Sequence, residues 1–287
     1  MRAFQKILFP IDMSDSCTAA APFVEALAKK FQAELTLLHV LEMPPGYVTD
    51  WYGYMALVDT EAIRNARHCE LDQYLTGKFQ GLNVGRVMLE GDAAHEITEY
   101  AQEHDTDLIM MPTHGCGIFR RLLLGSVTAK VLHDAACPVW TGVHVEETPP
   151  AAATFANIMC AVDLTEKSLP TMQFASKLAS DFKAKLWLVH AVPGAETRPE
   201  KYFDADLQAF LQDEARKALA KMQQDAGVVG QICLGAGEVP HVVRDAALHH
   251  AADLLVIGRG HATRALGRLR TNVYSIIRQS PCPVISV

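Results

Sequence analysis

The sequence predicts an α/β protein built from two tandem doubly wound domains, each with a five-stranded parallel sheet. Three observations support this fold class. The chain has 287 residues, which suits two domains of about 140 residues better than one. Its motifs occur twice in the same order. Within each copy, short apolar runs alternate with helical patterns, as expected when parallel strands are joined by crossover helices.

The internal repeat is the strongest of these observations, because self-similarity at a fixed spacing reveals duplicated units. The spacing between matched residues drifts only from 151 to 145 along the chain. The matched pairs are Asp12 with Asp163, His39 with His190, Gly91 with Gly237, and Cys137 with Cys282. We therefore expect a first domain at residues 1–147 and a second at residues 154–287, joined by a polar, proline-containing linker.

The elements of the first repeat follow from periodicity. Phe23, Leu27 and Phe31 recur every four residues, which predicts a helix. Leu35–Leu41 and Leu108–Met111 are continuous apolar runs, typical of strands buried on both faces of a parallel sheet. The segment 96–103 again has a helical pattern. Ligands of such sheets bind beyond the carboxyl ends of the strands, where the strand order reverses.

The most informative loop follows the strand that ends at Met111. It contains Gly115 and leads to Gly125 and Ser126, which open a helix with an apolar face. Glycines allow backbone N–H groups to approach an oxyanion, and a helix N-terminus adds unpaired donors and partial positive charge. This pattern indicates a phosphate site. A glycine turn followed by an ordinary helix, N-capped by Ser126, fits the residues equally well.

The loop resembles the nucleotide loop of the universal stress protein family, G-x2-G-x9-G-[ST]. Gly115, nine intervening residues and Gly125-Ser126 fit its second part, whereas Pro112 replaces the first glycine. Proline has no N–H and a fixed φ, so it cannot donate to a phosphate. The resemblance covers both repeats. It implies an adenine nucleotide alpha-hydrolase-like fold, ATP as ligand with or without Mg²⁺, and a capacity to form homodimers.

The resemblance also implies roles for individual residues. Asp12 and Val40 would hold the adenine edge, and the loop and the helix start would hold the ribose and the phosphates. The implied nucleotide-binding residues are Pro10, Ile11, Asp12, Val40, Met111, Pro112, His114, Gly115, Gly125, Ser126, Val127 and Thr128.

The second repeat departs from this motif. Gly258 and Gly260 are one residue too close together, and Arg270-Thr271 stands where the first repeat has Gly125-Ser126. One interpretation is a decayed site. The other is a different anion site, because guanidinium groups bind phosphate well. The residues of this candidate second site are Asp163, Gly258, Arg259, Gly260, Arg270 and Thr271.

Net charge and composition argue against several classes of binding partner. The net charge is −7, and residues 1–149 hold 11 Lys and Arg against 20 Asp and Glu. This balance argues against nucleic-acid binding, which depends on phosphate neutralisation. No apolar run reaches a membrane-spanning length and no signal peptide is recognisable, so we expect a cytoplasmic protein away from membranes. The cysteine spacings favour reduced thiols over a metal site.

No known catalytic motif occurs in the sequence, so no catalytic residue is assigned. The main hypothesis is an ATP-binding regulator of the stress response, read by protein partners that the sequence does not name. A slow ATPase and a ligand-free interaction scaffold are the alternatives. We also expect the last strands, Cys137–Val143 and Cys282–Val287, to be exposed edges that pair in an internal pseudo-dimer. His39 and His190 are interpreted as core histidines bonded to backbone, with ligand or base as the alternative.

Overall fold

The computed structural model describes the backbone of residues 4–43, 47–49, 55–57, 59–113, 124–142, 155–193, 205–259 and 268–287. These residues form two compact units, one reaching Cys137 and the other formed by Pro138–Val287. Both units are α/β, as predicted. No described helix is long and apolar enough to cross a membrane.

The first unit has a parallel sheet in the order β5-β2-β1-β6, with helices in the crossovers. A short antiparallel pair, β3 with β4, follows β2. The elements are β1 Lys6–Pro10, α1 Asp15–Phe31, β2 Glu34–Leu41, β3 Tyr47–Thr49, β4 Met55–Leu57, α2 Thr60–Gln73, β5 Val84–Glu90, α3 Ala93–Glu103, β6 Leu108–Met111 and α4 Ser126–Asp134. The strands and helices predicted from periodicity in this repeat are therefore present.

The second unit repeats this order, β10-β9-β8-β11-β12, with all five strands parallel. An antiparallel strand, β7, completes its edge beside β12. The elements are β7 Val139–Thr141, β8 Asn157–Ala161, α5 Ser168–Phe182, β9 Lys185–Val192, α6 Ala205–Ala226, β10 Gln231–Ala236, α7 Val239–His249, β11 Leu254–Ile257, α8 Arg268–Gln279 and β12 Val284–Ser286.

The predicted pairing of the last strands is present in this second unit. β7 comes from the first repeat by sequence, yet it pairs antiparallel with β12, with Trp140 opposite Ile285. Both strands are shorter than expected, and their residues are fully buried rather than exposed. The pairing itself explains the burial, because it supplies hydrogen-bond partners to two edges that would otherwise be open.

The two cores match in detail. In the first unit, Phe4 meets Phe31 edge to face with ring centroids 5.1 Å apart. In the second unit, Phe155 and Phe182 form the same contact at 4.9 Å. Each pair closes the sheet against the end of its first helix, and each member lies 151 positions from its counterpart. The duplication is thus preserved in packing as well as in sequence order.

Candidate functional site

Strand order places the candidate residues at a switch point in each unit. The chain runs outward from β1 through β2 to β5 and then returns to the other side of β1 as β6. Such a reversal leaves a crevice at the carboxyl ends of the two strands that flank it. Asp12 follows β1 and Pro112 follows β6, so both lie at this edge.

Asp12 is an exposed carboxylate at the start of α1. Its Oδ1 accepts a hydrogen bond from the backbone N–H of Ser14 at 3.0 Å and one from the thiol of Cys17 at 3.1 Å. Burial, and next to it the nearby charge of Asp12, raises the pKa of the Cys17 thiol to about 12. The thiol therefore stays protonated at physiological pH and acts as a donor to the carboxylate.

The backbone polar groups of Ile11, which precedes Asp12, already have hydrogen-bond partners. The N–H of Ile11 donates to Leu38 O at 2.8 Å, and the carbonyl of Ile11 accepts from His39 Nδ1 at 2.9 Å. Pro10 is buried and Val40 is half-buried. Ile11 therefore has no backbone group left for a ligand and serves to place Asp12. The candidate polar group at this strand end is the side chain of Asp12.

The predicted bonding of the histidines to backbone agrees with these contacts, although His39 and His190 are half-buried rather than in the core. His190 repeats the bond of His39, with its Nδ1 at 2.7 Å from the carbonyl of Val162. Because a carbonyl only accepts, Nδ1 carries the proton in both rings. Each histidine ties a second strand to the end of the first, which supports the backbone-bonded interpretation over a base.

The second part of the site is the N-terminus of α4. Gly125 is the N-cap residue, and no side chain of the described residues caps the helix. The N–H of Gly125 donates to the carbonyl of Thr113 at 2.8 Å, which ties the helix start to the chain leaving β6. The next three N–H groups, of Ser126, Val127 and Thr128, have no partner within the helix by geometry. They form a cluster of donors with partial positive charge.

One of the two interpretations of this segment, a helix N-capped by Ser126, is wrong. Ser126 does not cap the helix, because Gly125 holds the N-cap position and Ser126 is the first helical residue, with an exposed side chain. The resemblance implied that Thr128 is one of five residues that supply N–H and hydroxyl donors to the phosphates, and its hydroxyl has another partner. It is buried and donates to the carbonyl of Pro112 at 3.1 Å. Thr128 therefore fixes α4 to the end of β6, and Pro112 contributes its carbonyl to that contact.

Met111 is buried at the end of β6, and Pro112 is half-buried just beyond it. Of the remaining predicted site residues, His114, Gly115 and Gly260 lie outside the described residues. Because β1 pairs with β6, Asp12 follows a strand next to the one that ends at Met111, and the start of α4 is tied to the residues just after Met111.

The carboxylate of the second repeat accepts several hydrogen bonds from neighbouring residues. Oδ1 of Asp163 accepts from the Ser168 hydroxyl at 2.6 Å and from the Thr165 hydroxyl at 2.7 Å. It also accepts from the N–H of Thr165 at 3.0 Å. Burial alone would raise the pKa of Asp163, but these hydrogen bonds outweigh it and lower the pKa below the usual value.

The start of the loop in the second repeat lies close to α5 and to the end of the last strand. A Cβ on Gly258 would lie 3.1 Å from the Thr171 hydroxyl, so the helix of this repeat approaches the strand end closely. The N–H of Arg259 donates to the carbonyl of Val287 at 2.8 Å. This part of the second repeat is therefore packed against its own last strand.

The predicted match of Arg270 with Gly125 is not found. α8 begins at Arg268, so Arg270 and Thr271 are its third and fourth residues rather than its cap and first residue. The side chains of Arg270 and Thr271 lie outside the description.

A feature that the sequence reasoning missed is a group of potential metal ligands on α3. Among the described residues, His95, Glu96 and Glu99 place ligand atoms within 4.8 Å of one another. The His95 and Glu99 side chains are exposed and lie 3.4 Å apart as an i,i+4 pair. The His-x3-Glu spacing on a helix was the available signal.

Comparison with known proteins decides the family. The universal stress protein family profile matches residues 3–141 and again residues 154–287. The chain belongs to the universal stress protein family. It carries two copies of the family domain in tandem, as the resemblance implied.

Curated relatives are universal stress proteins. The chain is 36% identical over 137 residues to one from Synechocystis, covering 47% of this chain and 83% of the relative. It is 32% identical over 136 residues to one from Methanocaldococcus jannaschii, covering 47% of this chain and 80% of the relative. The structure of a universal stress protein from Archaeoglobus fulgidus matches with a TM-score of 0.70 at 19% identity, covering 99% of this chain and 96% of that one. The structural match shows a shared fold.

Proposed function

We propose that this universal stress protein binds ATP in its first repeat and serves as a nucleotide-dependent regulator of the stress response. One observation carries the proposal: an N-terminus of α4 without a side-chain cap shares the switch-point edge with the exposed carboxylate of Asp12. The first feature suits phosphates, and the second suits the hydroxyl or amino donors of an adenosine.

A nucleotide site needs several hydrogen-bond donors for the phosphates. A helix dipole contact at an exposed site contributes about 0.3–1 kcal/mol, so a single one does not suffice. Three N–H groups converge at Ser126, Val127 and Thr128, and glycine at position 125 keeps the approach open. Since the first repeat is acidic overall, the nucleotide would bring Mg²⁺ on its phosphates to reduce the repulsion.

The second repeat is not proposed as an equivalent site. Asp163 already accepts three hydrogen bonds on one oxygen. A ligand donor directed at that same oxygen would compete with these bonds. The proposal therefore includes one nucleotide per chain.

The wider proposal follows the family resemblance. Domains at residues 1–147 and 154–287, a cytoplasmic location and a homodimer are part of it. Analytical ultracentrifugation with and without ATP tests the homodimer, and an unchanged monomer mass in both conditions would remove that element.

The direct test is ATP titration of the whole chain by calorimetry, with GTP as the comparison nucleotide. Asp12→Asn should weaken ATP binding by roughly 10- to 100-fold, because a hydrogen bond to a charged group contributes about 1.5–3 kcal/mol. Asp163→Asn is the matched control and should bind ATP as the native protein does. An absence of ATP binding at millimolar concentration, or equal losses in both variants, would contradict the proposal. Phosphate release measured in the same samples would separate a binding protein from a slow ATPase.

A further inference from the structure

Helix α3 packs an apolar face inward and carries three potential metal ligands elsewhere on its surface. Ile97 and Ala101 are buried. The side chains of His95 and Glu99 are 66% and 53% exposed, and Glu96 is half-buried. Residues three and four apart on a helix are neighbours, so Glu99 lies beside both Glu96 and His95. The sequence therefore places one imidazole and two carboxylates at one patch of the helix.

The distances within this triad, His95, Glu96 and Glu99, suit a single metal ion. One ligand atom from each residue lies within 4.8 Å of the other two. Nε2 of His95 and Oε2 of Glu99 are 3.4 Å apart. Two donors on a tetrahedral Zn²⁺, each bonded at about 2.1 Å, lie about 3.4 Å from each other. This pair thus already has the spacing of two ligands of one ion.

The position of the third ligand depends on a neighbouring glycine. A Cβ at residue 91 would lie 2.5 Å from Oε1 of Glu96, so glycine leaves the room that this carboxylate occupies. Gly91 also has a φ of +151°, which side chains other than hydrogen rarely permit. The turn before α3 therefore lets Glu96 fold back toward the start of the helix.

The charge of the triad also favours a cation. Among the described residues, no lysine or arginine forms an ion pair with Glu96 or Glu99. The nearby N-cap, Asp92, is by contrast paired with Lys130 at 3.0 Å. The two carboxylates of the triad repel each other, and a divalent ion between them would replace that repulsion with attraction.

The matched helix of the second repeat lacks this set of ligands. His241, Val242 and Asp245 correspond to the three residues of the triad, each 146 positions later. Valine offers no ligand atom, and the shorter aspartate accepts a hydrogen bond from the guanidinium of Arg244 at 2.8 Å. Helix α7 therefore retains the histidine without the rest of the site, and it provides an internal control.

We propose that the triad binds one divalent cation of the Zn²⁺ class, meaning Zn²⁺ or a neighbouring transition metal, on the surface of the first repeat. Three protein ligands with water in the open position are a known arrangement for Zn²⁺. The imidazole selects this class over Mg²⁺ and Ca²⁺, which prefer oxygen ligands. The inference is independent of ATP binding, so its test contains no nucleotide.

Hydrogen exchange of the full chain at neutral pH, followed by mass spectrometry of its peptides, locates the ion. A cation that bridges His95 and Glu99 binds only the helical form. Added Zn²⁺ should therefore slow exchange in peptides from Ala93–Glu103 and leave those from Val239–His249 unchanged. Peptide resolution is needed because the chain contains 12 histidines.

Three variants test the ligands, with binding measured from the Zn²⁺ dependence of this protection. His95→Ala and Glu99→Gln should each weaken binding at least about tenfold, because loss of even a hydrogen-bond partner of a metal ligand typically costs 10- to 100-fold. His241→Ala, the matched control, should retain the native protection of α3. All three side chains are exposed, so the variants should fold normally, which thermal melts in EDTA verify.

The results that would overturn the inference are specific to α3. Exchange in this helix that is unaffected by Zn²⁺ in the native protein would overturn it. So would protection that persists in both His95→Ala and Glu99→Gln, or that is lost equally in His241→Ala. Equal protection by Mg²⁺ at the same concentration would overturn the assignment to the Zn²⁺ class.

Discussion

The two repeats share a core and differ at the edge where a ligand would bind. Phe4 against Phe31 and Phe155 against Phe182 are nearly the same contact, and the strand order is identical. At the carboxyl edge, by contrast, the described side-chain donors differ: the thiol of Cys17 donates to Asp12, and the hydroxyls of Thr165 and Ser168 donate to Asp163. Duplication thus preserved what buries apolar surface, while the polar groups at the strand ends diverged.

The largest expected effects test the equivalence of the cores. Leu37 and Leu188 are matched residues in β2 and β9, and both are fully buried. Truncation of either to alanine should lower the free energy of unfolding by about 2–5 kcal/mol, through lost burial and a residual cavity. Urea denaturation followed by circular dichroism measures both variants. A large loss of unfolding free energy for one variant and almost none for the other would show that the two cores are not equivalent.

The next largest expected effect is on ATP binding at the N-terminus of α4, where the two repeats differ. Gly125 has φ −57° and ψ 142°, a conformation that aspartate adopts readily as an N-cap. Gly125→Asp should therefore leave the fold intact but weaken ATP binding by about 100-fold, roughly 2.7 kcal/mol, because the carboxylate occupies the donors and repels phosphate. Gly125→Ser is the neutral control. Similar affinities for the aspartate variant and the native protein would place the phosphates elsewhere.

A smaller difference concerns the first helix of each repeat. The Ser14 hydroxyl caps α1, whereas α5 begins after Lys167 without a side-chain cap. Ser14→Ala should cost about 1 kcal/mol of stability, and Lys167→Ala should stay within about 0.5 kcal/mol. Thermal unfolding of the two variants in parallel measures this contrast. Equal losses would show that the capping bond contributes little here.

The smallest expected effect concerns how the hydrogen bonds of Asp163 contribute to stability at different pH values. Its lowered pKa stabilises the folded state above the unfolded value of about 4, and this contribution disappears as pH falls through the folded pKa. Ser168→Ala should cost at most about 1 kcal/mol at pH 7, since the carboxylate is exposed to solvent screening. The difference from native should shrink near pH 3. Urea midpoints at both pH values test it, and a constant difference would assign the loss to packing instead.

The fold was largely predictable from the sequence, whereas the contacts among the candidate site residues were not. Repeat order and apolar periodicity are local signals, so the helix containing Leu27 and the strand Leu108–Met111 follow directly. The bond from Thr128 to the Pro112 carbonyl and the contact of Cys17 with Asp12 depend on how segments approach in space. No periodicity encodes such contacts.

The central claim is that the nucleotide binds in the first repeat and not in the second. Photolabelling with 8-azido-ATP, followed by peptide mapping of the intact chain, tests it most directly. We expect label in peptides from residues 3–141, competed away by unlabelled ATP, and none in residues 154–287. Competed label in the second range, or in both ranges equally, would contradict it.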